Sequence, residues 1–382
     1  MTRTLVIIGT GLAGYNLAKE FRKLDAERPL VLITRDDGRN YSKPMLSNGF
    51  AKQKSADELA MHSAEEMAQQ LKATVLTRTE VIRIDTAQQR VYTGADDYTP
   101  YADLVLAFGA DTFRVPMEGD GVADVLSIND LVDYGVFRAK AAGKKKVLVI
   151  GAGLIGCEFA NDLVTGGFAV EVVDPAGRCL PALLPPEASA AVARGLEGLG
   201  VKFHFGPAVK AVNKAGDGYR CTLTTGEQVD ADLVISAVGL RPRVALAKDA
   251  GLAVNRGIVV DRELRTSAPN VFAFGDCAEV NGYVLPYVLP LMGAARALAK
   301  TLAGTPTAVS YGVMPVAVKT PACPVVVCPP PLGAQGSWQV EADGQNVKAL
   351  YVGADGKPLG FALTGEATNE KQALAKQMPV LF

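Results

Sequence analysis

Gly9-Thr10-Gly11-Leu12-Ala13-Gly14 follows the apolar run LVII at residues 5–8, and Gly151-Ala152-Gly153-Leu154-Ile155-Gly156 follows VLVI at residues 147–150. Both stretches read G-x-G-x-x-G between a short strand and the start of a helix. There the first glycine permits the tight turn. The second lets a pyrophosphate approach the backbone, and the third lets the helix pack close to the strand. The phosphates then lie on the helix N-terminus, where free N–H groups and the dipole favour an anion. One such match is a weak signal. Two, each in a strand–turn–helix setting, point to two dinucleotides on one chain and to electrons moving between them. The helical patterns run over residues 14–24 and 156–165, and second strands follow at 30–34 and 169–173. A ribose-binding acid is expected about twenty residues after the third glycine. Asp174 fills that place in the second unit, at the end of VEVVD. A carboxylate there accepts from the adenosine 2′-OH and repels a 2′-phosphate. In the first unit the place is held by Thr34, followed by Arg35, Asp36 and Asp37. Backbone groups or Arg35 are expected to substitute for the usual acid.

Working outward, residues 55–72 read as a helix with Ser55 as its N-cap. Short strands are expected at 74–76, 80–85 and 90–92, and a buried strand at 103–108 ends in Gly109-Ala110. A helix at 128–142 leads into the second fingerprint. Strands at 201–205, 219–223 and 233–238 follow it, the last ending in Gly239. From Pro242 the first pattern resumes, with a strand at 271–274 and a helix at 291–302. The final stretch of about seventy residues is rich in Val and Pro, with strands near 314–320, 324–327, 337–341 and 348–352, and carries no nucleotide motif. The fold class is therefore α/β. Two Rossmann-like dinucleotide-binding domains are expected, the second inserted in the first, with a small α+β C-terminal domain. The boundaries fall at 1–112 and 241–308, at 113–240, and at 309–382.

Composition limits the function classes. A chain of 382 residues suits two to three domains, and 49% hydrophobic with 21% charged residues is ordinary for a globular protein. A net charge of −1 gives no case for nucleic acid or an anionic membrane. The most apolar long stretch, residues 284–303, contains Pro286, Pro290, Arg296 and Lys300, so no membrane span is expected. Cys157, Cys179, Cys221, Cys277, Cys323 and Cys328 show no disulfide-framework spacing, which suits a reduced, cytoplasmic protein. His62 and His204 are too few and too scattered for a metal site.

Residues 266–276 read TSAPNVFAFGD. Here the chain resembles the two-dinucleotide-domain flavoprotein reductases, of glutathione-reductase-like fold, over nearly its whole length. The resemblance rests on both fingerprints, on the strand ends LVLAFGA with Gly109 and LVISAVGLRPR with Gly239, and on Gly275-Asp276. It implies that the first fingerprint binds FAD, the second NADH, and that Asp276 holds the ribityl chain. Disulfide reductases of that superfamily place a redox cysteine pair after the second strand. Here that region reads NYSKPMLS at residues 40–47, and no Cys precedes Cys157. Thiol chemistry beside the flavin is not expected.

Lys43-Pro44 resembles instead the subgroup that reduces small iron–sulfur or iron proteins, in which the Lys reaches the flavin and pairs with a Glu two residues past the second fingerprint. Glu158 stands there. MPVAVKTPA at residues 314–322 resembles the start of the C-terminal domain in rubredoxin reductases and their flavorubredoxin-reducing relatives. That resemblance brings Lys319 and Val288 toward the flavin and Val81 toward the adenine. It implies hydride transfer from NADH to FAD, then single-electron transfer to a rubredoxin or flavorubredoxin. A monomer is favoured over a dimer. Two other readings stay open: a ferredoxin reductase of an oxygenase system, and an NADH-sensing flavoprotein.

Overall fold

The computed structural model describes residues 3–382. The chain divides into two compact units. The first is Met1–Lys43, Glu58–Asp111 and Leu240–Tyr311, and the second is Pro44–Asp57, Thr112–Gly239 and Gly312–Phe382.

The first unit is built on a parallel sheet with strand order Val271–Ala273, Asp103–Leu106, Leu5–Ile8, Leu30–Ile33, Thr74–Leu76. Its strands are near-continuous apolar runs because both faces of a parallel sheet are covered. Leu5–Ile8 is central, with Leu5 opposite both Leu30 and Asp103, so the turn that follows it opens at the carboxyl edge of the sheet. Helix Leu12–Arg22 buries Tyr15, Leu17, Ala18 and Phe21 and packs on helix Val288–Leu302. That second helix starts three residues earlier than the sequence suggests. Pro290 sits in its first turn, where a missing N–H leaves no helical bond unmade.

The helix expected over 55–72 is broken. Ala56–Leu59 is one turn, Ala60–His62 is a short strand against Asn40–Tyr41, and Ala64–Leu71 is the true helix. Its N-cap is Ser63, not Ser55. The Ser63 hydroxyl accepts from the Glu66 N–H, and the Glu66 carboxylate accepts from the Ser63 N–H, a complete capping box.

The second unit holds a parallel sheet ordered Lys202–Phe205, Ala169–Asp174, Lys146–Ile150, Leu233–Ser236. Helices Leu131–Ala141, Leu154–Thr165 and Pro186–Gly198 accompany it. An antiparallel meander, Val209–Ala215, Gly218–Leu223 and Gln228–Ala231, shares its core with the sheet through Leu148, Val212, Cys221 and Val234. The C-terminal segment forms an antiparallel sheet ordered Val316–Val318, Val325–Cys328, Pro358–Thr364, Asn346–Gly353, Gly336–Asp343. Its central strand, PLGFALT, is absent from the sequence reading. Gly360 interrupts the apolar pattern there, and the structure requires it: a Cβ would lie 2.7 Å from the Cys328 carbonyl oxygen.

Candidate functional site

In the first unit the fingerprint turn has the shape its glycines foretell. Gly9 has φ +112°, and a Cβ on it would lie 2.3 Å from the Ala107 carbonyl oxygen. A Cβ on Gly14 would meet the Gly9 oxygen at 1.8 Å, so helix and turn touch backbone to backbone. Gly11 caps helix Leu12–Arg22 with no side chain on its free N–H groups, and nothing lies within 4 Å of where its Cβ would point. The helix carries no acid in its first turn. Gly109, at φ +70°, is equally open. An uncapped row of N–H donors beside an open glycine face is the cradle a pyrophosphate requires, and FAD fits it.

The carboxylate nearest that place is Asp36, three residues past strand Leu30–Ile33. Its Oδ1 accepts from the Thr34 hydroxyl at 2.7 Å, from the Gly38 N–H at 2.9 Å and from the Thr10 hydroxyl at 3.5 Å. The buried Thr34 thus orients a carboxylate rather than replacing one, and Thr10 of the fingerprint shares it. Arg35 is exposed, 3.7 Å from Asp111.

Asp276 follows strand Val271–Ala273 through Gly275, whose φ is +77°. Lys43 Nζ lies 3.9 Å from Asp276 Oδ2. Burial pushes the Asp276 carboxyl up, and the charges of Lys43 and Arg243 pull it back down. Val288 is the first residue of helix Val288–Leu302 and is 40% exposed. Val81 lies partly buried in the irregular segment before Arg83–Asp85.

The second fingerprint repeats the geometry. Gly151 has φ +105°, a Cβ on Gly156 would sit 1.9 Å from the Gly151 oxygen, and Gly153 is open. Leu154 and Ile155 begin helix Leu154–Thr165, Ile155 being exposed, and Gly239 has φ +112° with free space beside it. Asp174 is buried. Its Oδ2 accepts from the Ala152 N–H at 2.6 Å and its Oδ1 from the Ala176 N–H at 2.7 Å. The carboxylate therefore fixes the turn as well as standing at the ribose position.

Glu158 is 1% exposed in the same helix. Its Oε1 accepts from the Lys319 backbone N–H at 2.9 Å, and its Oε2 accepts from the Ser47 hydroxyl at 2.6 Å and from the Lys319 ammonium. Lys319 Nζ also donates to Ser47 Oγ at 3.0 Å. Lys43 and Glu158, paired by the resemblance, belong to different units. Within its own unit Lys43 faces Asp276, and Glu158 faces Lys319. One turn further, Asn161 Oδ1 accepts from the Ala322 N–H at 3.1 Å, and Asp162 accepts from the N–H groups of Phe50 at 3.0 Å and Ala51 at 2.8 Å. Sequence reasoning missed Ser47, Asn161 and Asp162. The signal available was three polar residues on one stripe of an otherwise apolar helix.

All six cysteines are free and buried. Burial holds the Cys277 and Cys221 thiols up at about 12 and Cys328 at about 11, so they stay protonated at neutral pH. Among the described residues no helix is long and apolar enough to cross a membrane, and no cluster of three or more His, Cys, Asp or Glu could hold a metal ion.

Residues 3–312 match the pyridine nucleotide-disulphide oxidoreductase family, and residues 308–378 match the rubredoxin binding C-terminal domain. A rubredoxin-NAD(+) reductase of Alcanivorax borkumensis is 60% identical over 379 residues, covering 99% of each chain. A nitric oxide reductase FlRd-NAD(+) reductase of Aliivibrio fischeri is 39% identical over 378 residues, again covering 99% of each. Among solved structures, a ferredoxin reductase from Rhodopseudomonas palustris superposes with a TM-score of 0.88 at 26% identity, over 100% of this chain and 96% of that one. With two open dinucleotide turns in a Rossmann setting and matches along its full length, the chain belongs to the pyridine nucleotide-disulphide oxidoreductase family, in its rubredoxin reductase branch.

Proposed function

We propose that the protein oxidises NADH and delivers the electrons to a rubredoxin. The observation that carries this is residues 308–378, where the match to a rubredoxin-binding domain follows directly on the two nucleotide turns. FAD, when bound, would supply the redox chemistry that links a two-electron hydride donor to a one-electron acceptor. The chain supplies binding and electrostatics. In the first unit the open N–H row at Gly11 takes the FAD pyrophosphate, Asp36 takes the adenosine ribose, and Asp276 takes the ribityl hydroxyls with Lys43 beside it. In the second unit the Gly153 turn takes the NADH phosphates and Asp174 the ribose. Lys43 and Lys319 are cations, each anchored by a carboxylate, that favour negative charge on a reduced cofactor.

The test is steady-state NADH oxidation by the yellow holoprotein with a panel of rubredoxins and ferredoxins. Rubredoxin is expected to be reduced fastest. Ferredoxin reduced far faster would favour the oxygenase-type reading. Slow turnover with every carrier, alongside tight NADH-dependent complex formation, would favour the sensor. A flavorubredoxin acceptor is a second reading, supported by the 39% identical relative, and belongs in the same panel. Free, buried thiols throughout the chain suit a reducing compartment, and we place the protein in the cytoplasm.

A further inference from the structure

We propose that Arg243 is a cofactor-binding residue, presenting its guanidinium to the pyrophosphate of the FAD in the first unit. The inference rests on the FAD reading above and adds a residue that neither the fingerprint nor the Gly-Asp motif contains.

Arg243 is locked to the strand end that borders the cradle. Its backbone N–H donates to the Gly109 carbonyl at 3.0 Å. Its side chain folds back over the same segment: Nη1 donates to the Phe108 carbonyl at 2.6 Å and Nε to Asp111 Oδ1 at 2.6 Å. Two of three guanidinium nitrogens are thereby fixed, and Nη2 makes no hydrogen bond to protein among the described residues. The group is a pre-oriented donor with its charge incompletely matched, because Asp111 is shared with Arg35 at 3.7 Å. Two cations on one carboxylate leave a net positive charge at the rim. On the cradle side, Gly109 and Gly11 both face empty space. Arg243 also acts electrostatically on Asp276 of the Gly-Asp motif in the same unit.

The ligand chemistry follows from charge. Within FAD the formal negative charge lies on the pyrophosphate. The first unit otherwise offers that anion an uncapped helix start and Lys43, which is already engaged by Asp276. A planar, pre-anchored guanidinium loses little freedom in binding a phosphate and gives it directional donors.

The experiment uses purified holoprotein. FAD release on serial dilution, read by flavin fluorescence, gives the Kd as a function of salt, and phosphorus NMR reads the bound pyrophosphate directly. Arg243→Gln is expected to raise the FAD Kd about tenfold to a hundredfold, the range for a charge-assisted hydrogen bond. It should also flatten the salt dependence and shift the pyrophosphate resonances. Arg243→Lys, which keeps the charge without the fork, should fall between. Asp111→Asn retains an oxygen for Nε and removes only the competing charge, so its Kd should stay within about threefold of wild type or tighten. The inference is overturned if Arg243→Gln leaves the Kd and phosphorus spectrum unchanged. It is equally overturned if Asp111→Asn and Arg243→Gln raise the Kd alike with unchanged salt dependence, since Arg243 would then be a strap on the strand-end loop. Should Arg243→Gln fail to fold, the Lys variant and its phosphorus spectrum decide. A wild-type protein that never loads FAD overturns the cofactor reading itself, and that outcome is visible before any variant is made.

Discussion

Asp36, the proposed ribose acid, escapes a spacing rule. Counting from the third glycine lands on Thr34, and the carboxylate arrives two positions later, folded back by the Thr34 hydroxyl and the Gly38 N–H. Asp174, by contrast, sits where the count places it, and its two backbone contacts explain why an acid is tolerated in a buried position. NADH is therefore expected to be preferred over NADPH by about ten- to a hundredfold in kcat/KM, or roughly 1.5–3 kcal/mol. Asp174→Ala should narrow that ratio while weakening both nucleotides, because the Ala152 N–H loses its acceptor. Equal use of the two nucleotides by wild type would remove Asp174 from the specificity role. Asp276 yields a second prediction, from pH. Burial raises its carboxyl above the ordinary value, so the folded apoprotein binds its proton more tightly than the unfolded chain does. The stability this group contributes is complete below the unfolded pKa and is lost as pH rises through the folded one. Asp276→Asn does not titrate. The Tm of the variant apoprotein relative to wild type should thus climb with pH and level off once the pH exceeds the folded pKa, even as FAD binding weakens. A pH-independent difference in Tm would contradict this account of Asp276.

Helix Leu154–Thr165 does two jobs with two parts of its surface. Its first turn is the open anion cradle, and its inner stripe, Glu158, Asn161 and Asp162, accepts backbone N–H groups from residues 50–51, 319 and 322. Those bonds explain why residues 44–57 and the C-terminal segment cluster with the second unit rather than with their sequence neighbours. Asp162→Ala would leave the Phe50 and Ala51 N–H groups without acceptors, the former wholly buried, at a cost of about 2–4 kcal/mol. Asp162→Asn, with one acceptor oxygen left, should lose about half as much. Urea unfolding measures both, and a loss under about 0.5 kcal/mol for the alanine variant would show that water replaces the carboxylate. At this scale the fold was legible wherever period and punctuation agree. Both strand–turn–helix units, the strand ends at Gly109 and Gly239, and four of the five C-terminal strands stand close to where the sequence puts them. The failures share a cause: tertiary contact overrode local pattern. A strand pairing at Ala60–His62 cut one apparent helix into two pieces, and a close backbone approach put Gly360 inside a strand. The anchors at Ser47, Asp162 and Arg243 were illegible because each is defined by a partner a hundred or more residues away.

For the molecule as a whole, the proposed reading gives each unit one nucleotide turn. Gly9–Gly14, Asp36, Gly109, Asp276 and Arg243 all lie in the first unit; Gly151–Gly156, Asp174 and Gly239 all lie in the second. A ligand that binds the folded state of one unit stabilises it by RT ln(1 + [L]/Kd), about 2.7 kcal/mol at a hundredfold excess over Kd. Hydrogen exchange in the presence of FAD alone should therefore slow the amides of residues 9–14 and 275–277 first and most. NAD+ added afterwards should slow those of residues 151–157. The oxidised nucleotide is the right probe because it occupies the second turn without changing the redox state of the flavin. The amide of Ala152 is already held by Asp174, so its protection should rise less than that of Gly153 or Leu154, whose N–H groups are free to take the phosphates. Protection by NAD+ that fell on residues 9–14 instead would reverse the assignment of the two turns. Protection spread evenly over both units by either ligand would mean that they open as one cooperative body, and that nucleotide identity cannot be read from unit membership.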